Sequence, residues 1–146
     1  MHTDNLHLVR QIAESVYLCL TNDLNTFFNS RNDRFPHGCC DLASILLYKV
    51  LLEEDFTDIN LIKGTNAFSE DHVWIEYKSY VIDLTAHQFE EFSSPFILID
   101  KKDYPLSKDS YYSILQVDND LLDWSYTDDL ETEFFELLYS KYYIKQ

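Results

Sequence analysis

The sequence predicts an α+β domain, with helices first, then a mostly antiparallel sheet, then a closing helix. Three observations carry this. Apolar residues recur at three- and four-residue steps near both ends of the chain, which is the helical period. The middle of the chain alternates and is rich in β-branched and aromatic residues. Neither a repeat nor a linker-like stretch interrupts the 146 residues, a length suited to one domain over 1–146.

The elements follow in order. Leu6, Val9, Ile12, Ala13, Val16 and Leu20 mark a first helix, with Cys19 inside it as a small buried hydrophobe. "NDLNTFF" either continues this helix or starts a second. "NSRNDRFPHG" is a polar loop with Pro36 and Gly38 as breakers. Leu42, Ile45, Leu46 and Val50 predict a helix from about Cys40 to Glu54. "DINLIKGT" is a short strand ending at Gly64, and "DHVWIEYKSYVIDLT" reads as two strands around Lys78 and Ser79. "PFILID" is a further strand after Pro95. The tail "TDDLETEFFELLYSKYYIK" starts acidic and ends with Lys141 and Lys145, the charge order a helix dipole favours.

Composition narrows the function classes. A net charge of −15 repels phosphate backbones and anionic membrane surfaces, so neither nucleic acid nor membrane is an expected partner. One exception is imitation of nucleic acid by the chain's own carboxylates, and an acidic surface also suits a basic partner protein. Three cysteines do not form a closed disulfide framework. The first residues, "MHTDNLHLVRQ", lack the apolar run of a signal peptide, and no stretch reaches the length of a membrane span. The expectation is a cytoplasmic protein with free thiols.

Two of those thiols, Cys39 and Cys40, follow Gly38 at a predicted helix start. A helix N-terminus lowers thiol pKa, which suits a nucleophile, and glycine lets a substrate backbone approach. A nucleophile needs a base and a group to orient it. His72 opens one strand and Asp83 closes the next. With Lys78 and Ser79 as a two-residue loop, Tyr77 faces Tyr80, Trp74 faces Asp83 and His72 faces Thr85. His72, Trp74, Asp83 and Thr85 then share one side of the sheet, with His72 and Asp83 as diagonal neighbours. Each of these residues alone also has a structural reading: a buried thiol, a hydrogen-bonded core histidine, a strand-end turn former. Together they favour nucleophilic chemistry. A metal site is disfavoured, because adjacent cysteines cannot readily share one tetrahedral ion, and no cofactor is expected.

These residues resemble the papain-like and transglutaminase-like superfamily of cysteine hydrolases. "GCCDLAS" is similar to the papain nucleophile segment G-S-C-W-A-F-S, and the "HVW" and "VID" of the two strands match the transglutaminase-like His and Asp. More closely, "FPHGCCDLAS", "HVWIE" and "VIDLTAHQF" are similar to small bacterial and phage transglutaminase-like proteins, with patterns near F-P-x-G-x-C-G-D-A-S and D-I-T-x-x-Q-F. The resemblance spans about residues 35–89. It implies a nucleophile helix packed on a small antiparallel sheet, with Cys40 as nucleophile, His72 as general base and Asp83 as the orienting acid. The broader pattern C-G-D-Y-A would put the nucleophile at Cys39; the spacing to Ala43 and Ser44 favours Cys40. Gln88 and Cys39 are candidate contacts for the oxyanion or substrate. The implied reaction is acyl transfer on a peptide or protein amide, as in a peptidase, amidase, glutamine deamidase or transglutaminase. Asp41 departs from the pattern, and its carboxylate opposes a neighbouring thiolate. The alternative is a non-catalytic acidic interaction protein on the same fold.

Overall fold

The computed structural model describes residues 4–27, 40–65, 71–88, 92–107, 113–116 and 125–143. The loop expected at 29–38 therefore lies outside the described residues. Helix α1 runs Asp4–Phe27, so "NDLNTF" continues the first helix. Its buried stripe is Val9, Ile12, Ala13, Val16, Cys19, Leu20 and Leu24, while Glu14 and Leu18 face solvent.

Helix α2, Cys40–Glu53, is apolar almost all round, and Leu42 to Leu47, Val50 and Leu51 are buried or nearly so. It can be, because it packs on the sheet as well as on α1 and on helix α3, Ser125–Leu137. Its end is a Schellman closure. The Phe56 N–H reaches the Leu51 carbonyl and the Asp55 N–H the Leu52 carbonyl, with Asp55 at φ 70° in the place glycine usually takes.

Among the described residues, five strands form one sheet: β1 Ile59–Thr65, β2 Asp71–Tyr77, β3 Tyr80–Asp83, β4 Phe96–Asp100 and β5 Ser113–Gln116. The spatial order is β4-β3-β2-β1-β5, and every neighbouring pair is antiparallel. The first strand passes Gly64 by one residue. Strand β5 was not foreseen; its four residues carry too short a pattern, and its place is set by pairing with β1. The C-terminal helix starts at Ser125 and widens into a π-helical turn over Leu138–Tyr142.

Two local departures from regular geometry sit at the β3 side of the sheet. The β2–β3 turn has neither glycine nor asparagine, so Lys78 takes φ 54°. In β4, two residues, Ile97 and Leu98, stand against the single Ile82 of β3, and Leu98 takes φ 66°. This is a β-bulge next to Asp83. Arg10 of α1 holds it, donating to the carbonyls of Ile97 (3.0 Å) and Leu98 (3.3 Å).

The main core lies between the helices and one side of the sheet. Val73, Ile75 and Tyr77 of β2, Leu61 of β1 and Ile82 of β3 meet Leu42, Ile45, Leu46, Phe134 and Leu138 there. A smaller cluster covers the other side: Ile62, Trp74, Val81, Tyr104 and Leu106, with Phe92, Phe96 and Ile99 against it. Among the described residues, no helix is long and apolar enough to cross a membrane.

Candidate functional site

The β2–β3 register pairs Tyr77 with Tyr80, Glu76 with Val81 and Ile75 with Ile82. Side chains alternate along a strand, so this register puts His72 and Trp74 on the same side as Asp83, away from the helices. On β1 the residue facing His72 is Gly64, which brings no side chain against the ring.

His72 and Asp83 are both fully buried, and they meet: His72 Nε2 lies 2.8 Å from Asp83 Oδ2. Every described hydrogen bond to the carboxylate comes from a donor. The Thr85 N–H donates to Oδ1 at 3.1 Å, with the Thr85 hydroxyl at 3.5 Å, and the Tyr104 hydroxyl donates to Oδ2 at 2.5 Å. A buried carboxylate is tolerated when its lone pairs are filled in this way. A carboxylate can only accept, so the hydrogen of the His72–Asp83 bond sits on Nε2. Any proton exchange by the ring would then pass through its other nitrogen, Nδ1. The Trp74 ring lies alongside, its centroid 5.9 Å from that of His72.

Tyr104 reaches the site from the segment after β4. A 3₁₀ turn, Lys101–Asp103, is capped by the Asp100 side chain on the Lys102 N–H at 3.2 Å. The Tyr104 N–H closes it on the Lys101 carbonyl at 3.2 Å. The turn is fastened to the β2–β3 hairpin by Lys101 N–H to the Ser79 carbonyl at 2.8 Å and by Lys101 Nζ to Glu76 at 3.2 Å. The Tyr104 ring is fully buried, 5.2 Å from Trp74 and edge-on to Phe96 at 5.6 Å. Sequence reasoning missed this residue, and it assigned no bond to Thr85. The hairpin register put Thr85 on the right side of the sheet, but no local pattern in "KKDYPLS" points back to Asp83, 21 positions earlier.

Cys40 is the first residue of α2; its side chain and that of Asp41 lie outside the described residues, as does Cys39 altogether. The backbone of Gln88 closes a 3₁₀ turn over Ala86–Gln88, with its side chain also outside the described set. Ser44, one helical turn beyond Cys40 on the same stripe, donates to the Val73 carbonyl at 3.1 Å. The opening turns of α2 are thereby moored to β2 one residue past His72. Cys19, by contrast, sits in the main core, where burial pushes its thiol up to about 12, with the nearby Asp23 carboxylate adding to the rise. Among the described residues, no group of three His, Cys, Asp or Glu side chains could hold a metal ion.

Compared with known proteins, the chain matches no family model, no curated protein and no solved structure.

Proposed function

We propose that this protein carries out cysteine-dependent acyl transfer on a peptide or protein amide, using Cys40, His72 and Asp83 on a papain-like, transglutaminase-like core. The observation that carries the reading is the fully buried His72–Asp83 bond, with every described contact to the carboxylate coming from a donor. The mooring of Ser44 to β2 supports it by bringing the start of α2 to the same end of the strand.

In this reading His72 Nδ1 takes the proton of the Cys40 thiol, and the thiolate attacks the amide carbonyl carbon. Backbone N–H groups at the start of α2 hold the oxyanion. As the tetrahedral intermediate collapses, the carbon–nitrogen bond breaks and His72 returns its proton to the leaving amine. The resulting thioester is then opened by water or by a second amine. Asp83 keeps the ring in the working tautomer and stabilises its charged form. The steps need no cofactor and suit a reducing, cytoplasmic setting.

The test is limited alkylation at mildly acidic pH with the modified peptides located by mass spectrometry, on wild type and on His72→Gln. Glutamine keeps a donor for Asp83 while removing the base. Fast labelling of Cys40 that is lost in His72→Gln is the expected result, with Cys19 protected in both. Labelling that favours Cys39 moves the nucleophile one residue. Equal and slow labelling of Cys39 and Cys40, unchanged by the substitution, overturns the proposal. The net charge of −15 would then favour an acidic interaction protein that engages a basic partner.

A further inference from the structure

We infer that Tyr104 is a positioning residue that sets the proton affinity of His72 by sharing Asp83 with it. The inference rests on reading His72 as a proton carrier, but not on which acyl group is transferred. Asp83 Oδ2 accepts from two donors at once: His72 Nε2 at 2.8 Å and the Tyr104 hydroxyl at 2.5 Å. The other oxygen is occupied by the Thr85 N–H, so the carboxylate cannot turn to offer His72 a fresh lone pair.

A hydroxyl donating to Oδ2 draws on the negative charge that would otherwise stabilise an imidazolium. The effect is strong in a fully buried site, where solvent does not compete. Tyr104 thus weakens the hold of Asp83 on a charged ring and favours neutral imidazole, the form that can take a thiol proton. The hydroxyl is delivered by a rigid mount. The ring is wedged against Trp74 and Phe96, and the backbone is tied through Lys101 to the hairpin that carries both His72 and Asp83.

Among the described residues, the contacts of His72 are these. Asp83 faces it from β3 and, through Asp83, Tyr104 from the segment after β4. On β2 its neighbour is Trp74, which does not titrate, and β1 offers Gly64. The side chain of Cys40, the proposed thiol partner at the start of α2, lies outside the described residues.

The experiment is an NMR pH titration of the His72 ring nitrogens in wild type, Tyr104→Phe, Asp83→Asn and the double variant, with Tyr142→Phe as control. Phenylalanine keeps the packing on Trp74 and Phe96. The control removes a different hydroxyl–carboxylate bond, that of Tyr142 to Asp23. In Tyr104→Phe the His72 midpoint rises by roughly half to one pH unit, about three- to tenfold in proton affinity, the worth of one hydrogen bond. The Nε2–H signal moves downfield as the bond to Asp83 strengthens. Both changes vanish in the Asp83→Asn background and are absent in Tyr142→Phe. An unmoved or lowered midpoint in Tyr104→Phe overturns the inference, as does an equal shift in both backgrounds. A ring held in one protonation state throughout the titration in both wild type and Tyr104→Phe overturns it as well. Should Asp83→Asn fail to fold, the contrast between Tyr104→Phe and Tyr142→Phe decides. The readout is the imidazole itself, so it stands or falls separately from the alkylation test of Cys40.

Discussion

On the side of the sheet covered by helices, Val73, Ile75 and Tyr77 of β2 meet Leu42, Ile45, Leu46 and Phe134 in a large apolar core. On the other side, the alternate residues His72 and Trp74 of the same strand meet Asp83 and Tyr104 in a small aromatic and polar cluster. The first side is held by filled volume, and its substitutions cost what the lost contacts and the cavity cost. The second is held by complete hydrogen bonding around one carboxylate. Its failure mode is an orphaned donor or an uncompensated charge. One strand thus serves stability with Val73, Ile75 and Tyr77 and candidate chemistry with His72, because its two faces meet different neighbours.

The sharpest way to break this comparison is to injure each side equally. Leu46→Ala is expected to cost about 3 kcal/mol through its cavity and to leave the His72 Nε2–H signal in place. Asp83→Ala is expected to cost a similar amount, about 3 kcal/mol, by removing the shared acceptor of His72, Tyr104 and the Thr85 N–H, and to erase that signal. Denaturant unfolding with NMR of the imidazole separates the two. A large loss of the His72 signal in Leu46→Ala would show that the faces are not independent.

A smaller effect is expected at the join between them. Arg10 reaches from α1 to the bulge in β4, where Leu98 holds positive φ opposite the end of β3. Such a conformation costs a non-glycine residue about 1–2 kcal/mol. Arg10→Ala should lower stability by about 2 kcal/mol, the worth of charged hydrogen bonds to carbonyls, and raise amide hydrogen exchange in β4 before β1. Uniform exchange across the sheet would remove the bulge as a specific weak point.

The smallest expected effect belongs to the helical side alone. The Cys19 thiol is pushed up to about 12 in the folded protein, chiefly by burial, from an ordinary value of 9.0. The folded state therefore keeps its proton where the unfolded chain releases it. This contribution is whole below pH 9 and declines as pH rises from 9 toward 12, by about 1 kcal/mol at pH 10. Tyr143, raised mainly by burial, acts in the same direction. Unfolding midpoints measured between pH 8 and 10 should fall less in Cys19→Ala than in wild type. Equal slopes would mean that Cys19 is wetter than its position implies.

Much of this architecture could be read from the chain. A 3.6-residue period placed α1 and α2, and Cys19 in the buried stripe, because helix packing repeats that period. Alternation placed β2 and β3. The parity of a two-residue loop put His72 and Asp83 on one side of the sheet, because a side-chain period of two leaves no other choice. These features depend on residues near one another in sequence. Tertiary structure alone decided which side of the sheet the helices cover, and so that His72 faces away from the main core. It also decided the pairing of β5 with β1, the bulge at Leu98 with Arg10 across it, and the delivery of the Tyr104 hydroxyl to Asp83. Each joins segments 21 to 88 positions apart or depends on how whole layers stack. No short period records such contacts, because their partners are chosen by the closing of the fold.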